Sequence, residues 1–182
     1  MENKNSFKKE ETEHLKQFIE WYNKWHVKNE FLKNQISQLE KMKDFPIFIF
    51  ASFILKIVWI EFELKQLISH LDAYLSTIEM RSRSPLSRKI RMPKDLDKQL
   101  FTFGKLIKEI NQYEGTPLNK LKNNLPLLNR LRKKFIHHLF SSNSSLGDLI
   151  KEAEKGLELT EIILQDINEI YKFLENNPPI MR

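Results

Sequence analysis

From Leu15 onward the apolar side chains advance by alternating steps of three and four residues: Leu15, Phe18, Tyr22 and Trp25, then Leu32, Ile36 and Leu39, with Asn29 at the one missing position. A repeat of about 3.5 residues puts all of these on one stripe of a helix, whereas a strand repeats every two residues. The rest of the chain obeys the same constraint. Only four glycines occur in 182 residues, and long runs of Leu, Lys, Glu, Ile and Asn proceed without the closely spaced turns that a sandwich or meander needs. The expectation is an all-α fold. Asn29 in the seam either fixes the register between two helices or points to a solvent pocket inside one subunit.

The stripe predicts a long first helix over residues 1–44, closing near Lys43, where Asp44 can cap and Pro46 suits the first turn of the next helix. The second helix is expected from Pro46 to Glu79. Its first half is apolar nearly all round and must be buried on most sides, and its second half is amphipathic through Leu64, Leu67, Ile68, Leu71 and Leu75. Arg81 to Met92 read as a basic connection, and Pro93 and Asp95 as the opening of a shorter third helix that stops before Gly115 and Pro117. A short helical turn from Pro117 and a restart near Asn124 and Pro126 lead into the fourth helix, to about Phe140. The fifth runs from Leu146 to Leu174 with Leu149, Ala153, Leu157, Thr160, Ile163, Ile167 and Ile170 on its seam. Together these make one domain over 1–182, an up-and-down bundle of four long helices with a shorter one inserted. Residues 45–175 form the bundle and 176–182 a tail.

Several functions are excluded or disfavoured. With no cysteine the chain has no disulfides, no thiol catalysis and no cysteine-ligated metal, which fits a reducing cytoplasm. His14, His26 and His70 stand apart from one another and from acids at ligand spacing, so no metal site or cofactor is expected. Trp21, Trp25 and Trp59 fall at core spacing and read as packing residues. The apolar run from Phe45 to Ile60 is shorter than the roughly 20 residues a membrane span needs and is interrupted by Lys56, so no membrane partner is expected.

The formal charge of +6 suits a polyanionic partner, and the positive charge is concentrated. Between Gly115 and Gly147 no acid occurs, while Lys120, Lys122, Arg130, Arg132, Lys133 and Lys134 crowd around His137 and His138. Such a surface binds a phosphate backbone by releasing counterions. Along the apolar steps Leu118, Leu121, Leu125, Leu128, Phe135 and Leu139, the position between Leu128 and Phe135 is Arg132. A guanidinium in a seam either pairs with a carboxylate of another helix, such as Glu61 or Glu63, or lines a cleft open to an anionic ligand. The histidine pair lies among cations that disfavour a further positive charge, which suits a general base acting on a ribose hydroxyl.

The stretch Leu128 to Phe140, LNRLRKKFIHHLF, resembles the Arg-x4-6-His segment of HEPN (higher eukaryotes and prokaryotes nucleotide-binding) helical domains. Arg132 matches the motif arginine and His137 the motif histidine. The resemblance covers about residues 45 to 175. It implies a metal-independent endoribonuclease, a toxin or abortive-infection effector acting on RNA and held in check by an antitoxin protein. His137 would assist attack of the 2′-hydroxyl and Arg132 would hold the phosphate, with His138, Lys133, Lys134 and Arg130 binding substrate. On one straight helix Arg132 and His137 lie about 140° apart, and in the family two subunits bring their motifs together, so the resemblance also implies a homodimer. Lys133 stands where the family usually has asparagine, which keeps open an alternative: an inactive HEPN-like module that binds RNA or protein. Leu139 stands where one toxin subgroup has the tyrosine that its antitoxin modifies, so that route of regulation is not implied.

Overall fold

The computed structural model describes residues 26–39, 46–78, 86–88, 102–139 and 145–178, together with Asn23 and Lys41. Residues 26–39 are helical (α1), followed by α2 (Pro46–Ile78), β1 (Ser87–Arg88), α3 (Phe103–Ile110), β2 (Tyr113–Glu114), a 3-10 turn (Thr116–Leu118), α4 (Asn119–Leu139) and α5 (Leu146–Asn176). The fold is all-α as expected, with a short antiparallel pairing of Ser87 with Glu114 and of Arg88 with Tyr113 among the described residues. Among the described residues no helix is long and apolar enough to cross a membrane.

Helices α2 and α5 form where the apolar periodicity placed them, and most of the expected 1–44 helix lies outside the described residues. In α5 the seam residues Leu149, Ala153, Thr160, Ile163, Ile167 and Ile170 are buried, and the helix packs along both α2 and α4. Its start is fixed by Ser145, whose Oγ accepts from the Asp148 backbone N–H at 3.1 Å, satisfying one of the free amides of the first turn. On α2, Leu64, Leu67, Ile68 and Leu71 are all buried. At the other end of that helix Phe50 and Phe53 meet Phe135 of α4 edge to face, each with ring centroids 5.3 Å apart. Gly156 of α5 lets Phe53 lie close, since a Cβ there would come within 2.2 Å of the Phe53 ring.

Two boundaries differ from the sequence reading. Helix α4 does not break at Asn124 and Pro126 but runs through Pro126 without interruption. Leu121, Leu125 and Leu128 are fully buried around the proline, and their packing outweighs the roughly 3 kcal/mol that an interior proline costs. Helix α3 does not extend back to Asp95, because Thr102 is extended (φ −74°, ψ 157°) and the helix begins at Phe103. Leu96, Leu100 and most of the Arg81–Met92 connection lie outside the described residues, as do Leu15, Phe18, Tyr22, Trp21 and Trp25.

Within the described part of the N-terminal stripe, Asn29 and Ile36 are buried. The Oδ1 of Asn29 has no hydrogen-bond partner among the described residues, and Glu63 of α2 accepts from Trp59 Nε1 at 3.0 Å. Burial pushes the Glu63 carboxyl above its ordinary range despite this donor, and burial next to Glu63 raises the Tyr171 phenol as well.

Candidate functional site

Helix α4 sorts its basic residues onto three faces. The first carries Asn129 and Arg132. Arg132 donates through one terminal nitrogen to Glu61 Oε1 on α2 at 3.5 Å and through the other to Asn129 Oδ1 at 3.4 Å. Its guanidinium carbon stands 5.3 Å from the Phe103 ring centroid, a cation–π distance. Of the two roles left open for this arginine, the structure shows pairing with Glu61, not Glu63. The Arg132 side chain is nevertheless 23% exposed, and its buried Nε has no hydrogen-bond partner among the described residues.

Glu61 responds to this position. Burial pushes its carboxyl above the ordinary value of 4.5, and the Arg132 guanidinium and Lys65 ammonium pull it part of the way back. A carboxyl raised in the fold binds its proton more tightly there than in the unfolded chain, so stability falls as pH rises from about 4.5 through the folded value. Glu61→Gln removes this contribution. In denaturant unfolding, the stability of the variant relative to the wild type should increase between pH 4.5 and pH 7.5, and a relative decrease over that range would refute the assignment.

The second face carries Arg130, Lys133 and His137, three and then four residues apart and all exposed. None of them makes an ion pair or side-chain hydrogen bond among the described residues. The other cations of this segment are engaged: Lys120 pairs with Glu169 at 3.0 Å, Lys122 donates to the Tyr113 carbonyl, and Lys134 pairs with Glu152 at 2.7 Å. Among the described residues, the unpaired cations of α4, Arg130 and Lys133, thus share one stripe with His137.

The third face, toward α5, carries Lys134 and His138. His138 Nδ1 lies 3.2 Å from Glu152 Oε1, the same oxygen that receives Lys134. Glu152 is buried, and its Oε2 has no partner among the described residues. The sequence reading missed Glu152, although the signal was the one that singled out Arg132. Leu149, Glu152 and Gly156 form a stripe of their own at steps of three and four, with a charge at its centre.

Within one subunit, then, Arg132 faces α2 and α3 while His137 faces solvent, in keeping with their separation around the helix. His26 and His70 are exposed. His70 Nδ1 lies 2.8 Å from the Gln66 carbonyl and its ring packs on Tyr171. Among the described residues no three His, Asp or Glu side chains are grouped to hold a metal ion. A groove of about 430 Å³ between α2 and α5, lined in part by Trp59, Glu161, Gln165 and Lys172, includes no residue of α4. Comparison with protein-family models, with curated proteins and with solved structures gave no match.

Proposed function

We propose that this chain is a metal-independent endoribonuclease of HEPN type, working in the cytoplasm as a homodimer and suited to a toxin or antiviral role under the control of a partner protein. The observation that carries this reading is the exposed stripe of Arg130, Lys133 and His137, in which unpaired cations and an imidazole share one face of α4. Arg130 and Lys133 follow the phosphate backbone. His137 takes the proton of a ribose 2′-hydroxyl, and an Arg132 guanidinium stabilises the charge that develops on the phosphate. Because the two groups face different ways on one helix, the site takes Arg132 from one subunit and His137 from the other. Exposed apolar side chains support such a pairing: Ile136 and Leu139 continue the Arg132 stripe of α4, and Ile54 and Val58 precede Glu61 on α2.

The test is incubation of the wild-type protein with a defined RNA in excess chelator. The expected products end in a 2′,3′-cyclic phosphate and a 5′-hydroxyl. Retention of RNA without cleavage would favour the second reading, an inactive RNA-binding module, for which the engagement of Arg132 by Glu61 is the supporting observation.

A further inference from the structure

Two imidazoles stand side by side at the end of α4 in unlike surroundings. The ring centroids of His137 and His138 are 6.1 Å apart with their planes inclined at 41°. His137 is exposed and meets no carboxylate among the described residues, whereas the His138 ring, 30% exposed, contacts the buried carboxylate of Glu152. An ionised carboxylate oxygen can only accept, so Nδ1 of His138 carries the hydrogen and Nε2 is left as its exchangeable position. When the ring is protonated the same contact becomes an ion pair. Glu152 is itself held by Lys134 and by burial in the α4–α5 interface, so the orientation it imposes on His138 is fixed by the core.

We infer that His138 is the general acid of the reaction and Glu152 the residue that positions it. This rests on the ribonuclease reading above. Transesterification needs a proton removed at one end of the phosphate and a proton supplied at the other. His137 takes the proton of the 2′-hydroxyl, and the 2′-oxygen forms its bond to phosphorus. The bond from phosphorus to the 5′-oxygen breaks with its electron pair going to that oxygen, which receives the proton from Nε2 of His138. The products are the 2′,3′-cyclic phosphate and the 5′-hydroxyl, and exchange with water returns both rings to their starting states.

A leaving group that needs no proton separates this role from a structural one. Single-turnover rates are measured in chelator for the wild type, His137→Ala, His138→Ala and Glu152→Gln, on a dinucleotide and on a ribonucleoside 3′-(4-nitrophenyl phosphate). His138→Ala should slow dinucleotide cleavage by about 10²–10⁴-fold and leave aryl ester cleavage within a few fold of wild type. Glu152→Gln should show the same selectivity with a smaller loss, and His137→Ala should lose both reactions. An equal loss on both substrates for His138→Ala, or no loss on the dinucleotide, overturns the acid assignment while the ribonuclease reading stands. If Glu152→Gln slows both equally, Glu152 is not the positioning residue. A wild type that cleaves neither substrate overturns the ribonuclease reading and this inference with it.

Discussion

His137→Ala should lower the RNA cleavage rate by about 10²–10⁴-fold, the usual loss on removing a general base, and leave the melting temperature unchanged. The second half of that expectation follows from the structure, since His137 is exposed and no hydrogen bond or ion pair holds it among the described residues. Arg132→Ala should cost about 10²–10³-fold, as removal of a donor to a developing oxyanion does, and should also destabilise the fold. Glu61 is already pushed toward its neutral form by burial, and deleting the guanidinium removes the stronger of the two electrostatic interactions that favour its ionised form. The two variants therefore differ in a thermal melt even where their activities are both low. Equal melting temperatures would mean that the pair between Glu61 and Arg132 contributes nothing to folding.

Phe135→Ala should lower the unfolding free energy by about 3–5 kcal/mol, the range for truncating a large buried aromatic side chain. Phe135 is fully buried and meets both Phe50 and Phe53 edge to face, so the loss includes two aromatic contacts as well as the cavity. Because Phe53 lies so close to Gly156, Gly156→Ala should destabilise by about 1–3 kcal/mol through overpacking, although alanine is the better helix former. Phe53→Leu in the Gly156→Ala background should recover part of that loss. Denaturant unfolding of the single and double variants checks both statements. A Gly156→Ala protein as stable as the wild type would mean that Phe53 can move aside at no cost.

How much of this was legible in the sequence depends on the range of the interaction. The α5 seam, the amphipathic half of α2 and the start of α5 were readable because each rests on a periodicity a few residues long. The continuity of α4 through Pro126 was not, since it depends on Leu121, Leu125 and Leu128 finding partners on other helices. The pairing of Ser87–Arg88 with Tyr113–Glu114 is too short to leave an alternating pattern. A cation in the seam marked Arg132 as unusual, but its partner lies 71 residues away and only the folded chain distinguishes Glu61 from Glu63. Glu152 escaped notice because its stripe contains a single strongly apolar residue, Leu149, and the small Gly156. The tight approach of Phe53 to Gly156 is a purely three-dimensional fact.

Mixing two inactive variants tests most directly whether Arg132 and His137 of different subunits form one RNA-cutting site. Arg132→Ala and His137→Ala proteins are mixed, subunits are allowed to exchange, and cleavage is measured in excess chelator beside each variant alone. Random pairing makes half of the dimers mixed, and each mixed dimer retains one of its two composite sites, so activity should recover to about one quarter of wild type. A mixture no more active than the two variants measured separately would contradict a site shared between subunits.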